Sequence, residues 1–380
     1  MSVQKRKQSQ KANVRSKKNT RDPRGEKGVL PQVGVFAPSS KVADVEFDLG
    51  IEKLRESGFE VQVHPHCYKS WRFFAGTDTE RAESFIQFAK NPEIQILWCA
   101  RGGSGAARLL PLLDRAFPRG KKPPRKLLVG YSDSTTLLEY VRVKWGWDAI
   151  HAPMPGLRKF CVLPPAEWEA TLEWIRDWAG VSQSASSRLK NSVFRLEKIG
   201  GPDFRGTIRA PIVGGNLTVW TSLLGTPYAG QAKGKVLFLE DVDEGLYRID
   251  RMMQQLLQSG GLRGVKAIVL GNFQNCRDSV PQVLAPGVRT RLPTSEAARV
   301  RLLNSPEPKE LAPLRPILES EATLREIFSE VGREASIPVF WGLPVGHGPE
   351  RFPLPLGAVG EITTPKGQGK FRIAKWPNLS

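Results

Sequence analysis

At 380 residues the chain is long enough for two domains of ordinary size, and its 36 Gly and 30 Pro at 40% hydrophobic content describe a loop-rich globular protein. No apolar run reaches the roughly 18–20 residues of a membrane span, and no apolar stretch follows the charged start as in a secretory leader, so a cytoplasmic location is expected. The formal charge of +18 is uneven: residues 1–27 carry ten Lys/Arg against Asp22 and Glu26, which is +8 and leaves +10 for the rest.

Residues 1–30 are therefore expected to be a basic, solvated tail, able to meet nucleic acid only through nonspecific charge. From Gln32 onward, strands and helices alternate. Val33 to Pro38 reads as a short buried strand, and Val45 to Ser57 as a helix stopped by Gly58. Phe59 to Val63 is a second strand, Thr79 to Lys90 a helix, and Ile94 to Ala100 a third strand. That strand runs into Arg101-Gly102-Gly103-Ser104-Gly105 and a helix over Ala106 to Leu113. Such alternation predicts a parallel sheet covered by helices, with sites beyond the carboxyl ends of the strands.

The fourth strand, Lys126 to Val129, leads into Gly130-Tyr131-Ser132-Asp133-Ser134 and then a periodic run from Leu137. A serine between a strand end and a helix start projects its hydroxyl from the sheet, beside backbone N–H groups that can hold an anion. An ordinary turn or N-cap serine fits the same pattern, because the hydrolase elbow ends in glycine and this one does not. Asp133 to Thr136 supply residue types that cap helices. The Gly-rich loop lacks the Gly-Lys-Ser/Thr ending of a nucleotide-binding loop, but it could place an oxyanion donor next to Ser132.

Beyond a Trp-rich helix near Trp168, Trp174 and Trp178, the Ser-rich stretch Gly180 to Ser187 suggests a linker. More strands follow: Ser192 to Leu196, Thr207 to Val213, Lys235 to Glu240, Val265 to Leu270, Ile337 to Trp341 and Ala358 to Thr363. An amphipathic helix spans Asp243 to Ser259. Gln274 to Pro316 is rich in Pro, Arg and polar residues and reads as a lid-like or disordered insertion. The expected division is a tail over 1–30, an N-terminal domain over 31–180, a linker over 181–192 and a β-rich C-terminal domain over 193–380.

A serine nucleophile needs a base and an acid. Of the four histidines, His64 and His66 flank Pro65 next to Cys67, an arrangement that invites a zinc reading but has no second ligand cluster. His151 lies in a Pro-rich loop after a strand and could face the cleft. His347, within Gly342-Leu343-Pro344-Val345-Gly346-His347-Gly348, follows a buried strand and is the best base of the four. For the acid, the apolar strand Val236 to Leu239 ends in Glu240 and Asp241, and Glu244 competes with them. The four cysteines are widely spaced, as in reduced, mostly buried thiols.

Taken together, these segments resemble the LD-carboxypeptidase family of serine peptidases, which includes murein tetrapeptide carboxypeptidases and microcin C immunity peptidases. The resemblance runs from about Val33 to about Gly360. It is carried by Phe74-Ala75-Gly76-Thr77-Asp78, the 101–105 loop, Gly130 to Asp133, Gly214-Gly215-Asn216-Leu217, Leu237 to Asp241 with Tyr247 to Arg251, and Gly342 to His347. It implies a Rossmann-like N-terminal domain, a β-rich α/β C-terminal domain and a site between them. It also implies a Ser132–Glu240–His347 triad, backbone oxyanion donors at Gly103 and Asp133, and substrate contacts at Arg101 and Asn216. A homodimer needing no cofactor or metal is implied as well. The activity implied is release of the terminal D-alanine from a cell-wall tetrapeptide. The alternatives are cleavage of a peptidyl or aminoacyl nucleotide antibiotic, for which the Trp-rich 168–178 stretch or the long 274–316 insertion could offer an aromatic surface, and non-enzymatic polyanion binding through the tail.

Overall fold

Five short runs of apolar residues build one parallel sheet. They are β1 (Val33–Phe36), β2 (Val61–Val63), β3 (Ile96–Cys99), β4 (Leu127–Gly130) and β5 (Asp148–His151). Every residue of β1, β3, β4 and β5 is buried, as expected of strands covered by helices on both faces. Burying a leucine such as Leu127 or Leu128 contributes about 2 kcal/mol relative to leaving it in water. The computed structural model describes residues 30–181, 193–278, 316–364 and 369–375. Apart from Leu30 and Val181, the expected tail and the 181–192 linker lie outside the described residues, as does most of the Gln274–Pro316 insertion.

The helices meet the sequence reading closely. α1 (Asp44–Glu56) and α2 (Asp78–Lys90) are where periodicity puts them, and Thr77 with Glu80 forms a reciprocal capping box at the start of α2. The expected helix after the Gly-rich loop is a 3₁₀ turn, Ala106–Leu109, continued by α3 (Leu110–Ala116). α4 (Thr135–Tyr140) follows the elbow, and α5 (Arg158–Cys161) and α6 (Pro165–Ala179) complete this part.

The sheet order is β11-β5-β4-β3-β1-β2, and β11 (Leu354–Leu356) runs antiparallel against β5. A short segment from the far end of the chain thus completes the first sheet. The second unit is a closed barrel in the order β10-β6-β13-β12-β7-β8-β9. Its strands are β6 (Phe194–Gly200), β7 (Thr207–Asn216), β8 (Val236–Val242), β9 (Ala267–Gln274), β10 (Val339–Trp341), β12 (Val359–Thr363) and β13 (Gly369–Lys375). The short α7 (Leu217–Ser222), the amphipathic α8 (Leu246–Gln258) and a long α9 (Pro316–Glu334) belong to this unit. Ile249, Met253, Leu256, Leu324, Phe328 and Val331 from α8 and α9 share a core with Leu237, Leu239 and Val339 of the barrel.

The two units are joined by polar contacts as well as apolar packing. Tyr140 and Tyr228 each donate to one oxygen of Asp114, at 2.8 and 2.9 Å. The backbone N–H of Asn216, at the end of β7, donates to Thr135 Oγ1 at 3.1 Å, which seats the barrel directly on the helix that follows the elbow.

Candidate active site

The end of β4 and the end of β8 converge from the two units. Ser132 lies just past β4, half-buried in a stretch whose other residues from Tyr131 to Tyr140 are all buried. Its φ is +61°, a left-handed conformation that a non-glycine residue adopts only when its surroundings enforce it. Here the enforcement comes from β4 on one side and from the 3₁₀ turn Ser132–Ser134 leading into α4 on the other. No side-chain cap bond starts α4, contrary to the capping expected of Asp133 to Thr136; Ser134 Oγ instead points at Met154 Sδ, 3.6 Å away. The tertiary contacts of Asp133 and Thr135 took these groups away from local capping.

The Asp133 side chain is buried and accepts from Ser39 Oγ at 2.6 Å and from the Ala106 N–H at 2.9 Å. It therefore ties the elbow to the loop after β1 and to the Gly-rich loop. Burial raises its carboxyl above the ordinary value, against those two hydrogen bonds and the nearby Arg81 charge, which lower it. Arg81, fully buried, donates to the carbonyls of Gly105 and Pro38 and pairs with Asp78, so the same loops are held from below.

Within the Gly-rich loop, Gly102 is pressed against the serine: a Cβ there would lie 2.8 Å from Ser132 Cβ and 2.9 Å from Ser132 Oγ. Only glycine admits so close an approach. Gly103, exposed and at φ +117°, backs onto Ser40, whose N–H donates to the Gly102 carbonyl at 3.2 Å. Arg101, at the mouth of the loop, donates to the Lys41 carbonyl at 3.1 Å.

Glu240 is fully buried. The β8–β9 ladder pairs Leu239 with Leu270 and then Asp241 with Phe273, so β9 carries an extra residue opposite Glu240. Bulges of this kind re-aim side chains beside sites. Glu240 Oε2 accepts from His347 Nδ1 at 2.6 Å and from the His347 backbone N–H at 3.2 Å. Gly346 makes the second bond possible: at φ +114°, it approaches Glu240 so closely that a Cβ would lie 2.5 Å from Oε2. Burial works against the charge on both partners. It is outweighed by their attraction and hydrogen bonding, so His347 is raised and Glu240 lowered from their ordinary values. The His347 ring also lies on Tyr131, the residue before Ser132, with centroids 4.6 Å apart.

The structure thus links these residues in succession: Gly102 packs on Ser132, Tyr131 carries the His347 ring, and His347 bonds Glu240. Asp241 turns the other way, accepting from Asn216 Nδ2 at 2.8 Å and from the Thr218 N–H and Oγ1 at 2.9 and 2.8 Å. Asn216 also accepts from the Val219 N–H at the start of α7, so both ends of its amide are engaged within the protein. Glu244 precedes α8 rather than lying in its first turn; it accepts from Arg248 and Thr218. His64 bonds Gln87 and the His66 N–H, His66 bonds the Glu80 carbonyl, and the Cys67 thiol points to the Val35 carbonyl. Among the described residues, no group of three or more potential ligands gathers to hold a metal ion. Trp174 and Trp178 are buried in the core, and Trp178 donates to Asp148, so of the three tryptophans of this helix only the half-buried Trp168 reaches the surface.

His151, weighed as a base that could face the cleft and set below His347, is the site's further neighbour. It closes β5 rather than lying in a loop, is buried, and places Nε2 3.9 Å from Glu240 Oε1. Its sequence signal was its place directly after a strand, and β5 extends one residue further than expected, to include His151 itself.

A strained serine at a strand–helix elbow, packed beside a glycine turn, thus follows the tyrosine on which the ring of a carboxylate-bound histidine lies, and the family match makes the chain a carboxypeptidase-class hydrolase. It belongs to the LD-carboxypeptidase family: the family's N-terminal domain matches residues 33–152 and its C-terminal domain residues 209–300 and 302–362. The chain is 29% identical over 331 residues to the murein tetrapeptide carboxypeptidase of Pseudomonas aeruginosa, covering 86% of this chain and 91% of that one. It is 26% identical over 262 residues to a microcin C7 self-immunity protein of Escherichia coli, covering 64% of this chain and 75% of that one. A solved muramoyltetrapeptide carboxypeptidase from Oxalobacter formigenes superposes with a TM-score of 0.64 at 26% identity, covering 91% of this chain and all of that one. Among the described residues, no helix is long and apolar enough to cross a membrane.

Proposed function

We propose that the chain is a serine L,D-carboxypeptidase that removes the terminal D-alanine from cell-wall tetrapeptides through Ser132, His347 and Glu240. The observation that carries this reading is the 2.6 Å bond from His347 Nδ1 to the buried Glu240, beside a serine held at φ +61°. The bond fixes the imidazole with its proton on Nδ1, leaving Nε2 as the base. Nε2 takes the Ser132 hydroxyl proton as Oγ attacks the peptide carbonyl. The imidazolium formed is stabilised by the Glu240 carboxylate and then returns the proton to the leaving D-alanine amine. Water, deprotonated by the same nitrogen, releases the acyl group from Ser132.

The backbone N–H groups of Gly103 and Asp133 are the proposed oxyanion donors, each worth on the order of 3 kcal/mol in the transition state. Arg101, in the same loop as Gly102 and Gly103, is the proposed contact for the substrate's terminal carboxylate. An Asn216 contact would come through its backbone, because its side chain is engaged elsewhere. A homodimer acting in the cytoplasm completes the proposal.

The resemblance to murein tetrapeptide carboxypeptidases over most of the chain favours a peptide substrate. The test is turnover of a muramoyl tetrapeptide beside an aminoacyl-adenylate analogue. The tetrapeptide is expected to be the better substrate by kcat/KM, and the reverse order would move the chain to the antibiotic-cleaving branch.

A further inference from the structure

Glu240 has two oxygens, and the His347 interactions use only one of them. Oε1 is buried with no hydrogen-bond partner among the described residues, and the same holds for both ring nitrogens of His151. The two orphans face each other, Nε2 to Oε1, at 3.9 Å, beyond a hydrogen bond by about 1 Å. Buried polar atoms without partners are rare enough that three in one place need an explanation.

The His151 backbone has little freedom. β5 pairs it with Gly130 at the end of the elbow strand and with Leu354 of β11. Its ring lies edge-on to Tyr131 and to Phe238, with centroids 5.6 and 5.2 Å away. The residue is therefore a rigid strut between the serine's strand and the carboxylate of the barrel. The charged or titratable groups around it are Glu240, His347 and the buried Tyr131, with Arg351 acting on Tyr131. Burial dominates its own titration and brings it down to about 4, against the raising effect of Glu240 and with a further lowering by His347. At neutral pH it is an uncharged imidazole with one donor and one acceptor, and only the donor can face a carboxylate.

We propose that His151 is a positioning residue for Glu240, donating its Nε2–H to Oε1 so that the carboxylate is held at both oxygens while His347 takes and returns the proton. A neutral donor suits this place. A second cation would compete with His347 for the carboxylate, and an apolar side chain would leave a buried oxygen unpaired. Catalytic hydrogen bonds commonly tighten once substrate is engaged, and a small turn of the ring closes the remaining gap.

The proposal rests on the Ser132–His347–Glu240 reading, and the test separates the two. Ser132→Ala is assayed first; if it retains turnover, the triad reading itself fails. With that variant inactive, ring-15N-labelled wild-type protein is examined by NMR at neutral pH, and His151→Leu and His151→Gln are assayed for kcat and KM. The neutral Nε2–H form of His151 is expected. His151→Leu should lose about 10- to 100-fold in kcat with KM within about twofold, the size of effect produced by a misplaced catalytic group. It should also shift or broaden the downfield Nδ1–H signal of His347. Gln keeps an N–H at similar reach and should recover kcat to within about fivefold of wild type. An Nδ1–H form of His151, a Leu variant with wild-type kcat, or a Gln variant no better than a stably folded Leu variant would each overturn the proposal. If His151→Leu does not fold, the tautomer and the Gln variant still decide it.

Discussion

Replacing Glu240 with Gln removes one negative charge from beside His347 at almost constant volume. In the native cleft Oε2 accepts both the Nδ1–H and the backbone N–H of His347. The amide oxygen of Gln can keep the backbone bond, so the loss falls on the charge. A carboxylate and an imidazolium in this contact have charge centres roughly 3.5 Å apart, worth about 5 kcal/mol at an effective dielectric of about 20. At 1.36 kcal/mol per decade that is roughly 10³- to 10⁴-fold in kcat, in line with the about 10⁴-fold cost of an acid-to-amide change in a comparable triad. KM should change little, because the imidazolium forms only as the serine attacks. Steady-state D-alanine release, measured from about pH 5 to about pH 9, reads both this loss and the acid limb of the profile. In the native enzyme that limb should lie above the ordinary imidazole value, since Glu240 raises His347; in the variant it should move down. Asp241→Asn is the control: it disturbs the bonds to Asn216 and Thr218 and should cost about 1–3 kcal/mol of stability more than turnover. Glu244→Gln should change kcat by less than about tenfold. A loss under about tenfold in a folded Glu240→Gln protein would refute the assignment of the triad acid.

Three other outcomes are expected. Gly102→Ala pushes a methyl group to within 2.8 Å of Ser132 Cβ, so kcat should fall about 100-fold while the melting temperature moves little; unchanged kcat would mean that the loop gives way freely. Unfolded His151 takes up a proton near the ordinary value of 6.5, whereas the folded residue does so only near 4. Stability should therefore fall by about 3 kcal/mol as pH drops through that window, and denaturant melts of His151→Gln should show a smaller fall. The His347–Glu240 pair works in two other windows. The His347 contribution is present below about 6.5 and is lost as pH rises through its raised folded value; that of Glu240 is lost as pH falls through its lowered one.

The parallel sheet was legible because its strands are unbroken apolar runs separated by capped or glycine-stopped helices. The candidate serine, acid and base stood out for a related reason: each lies at or just beyond the end of a buried apolar run, where a polar residue is conspicuous. Three things were not legible. β5 is only four residues long and includes Asp148 and His151, so its polar ends hid its extent. β11, Leu354–Leu356, joins a sheet whose nearest strand in sequence, β5, ends at His151, a pairing that no local pattern encodes. The division of Glu240 and Asp241 between two networks depends on the β9 bulge and on Asn216 and Thr218 arriving from β7 and α7. The period of two along a strand puts the two side chains on opposite sides but does not say what each meets.

The central claim is that Ser132 cleaves the bond before a terminal D-alanine. The most direct measurement is the amount of D-alanine released from a muramoyl tetrapeptide by the wild-type protein and by Ser132→Ala, whose folded state is checked by its melting temperature. One D-alanine per tripeptide formed by the wild type, and none above background from the variant, is the predicted result. Release by a folded Ser132→Ala protein at the wild-type rate, or none by the wild type, would contradict it.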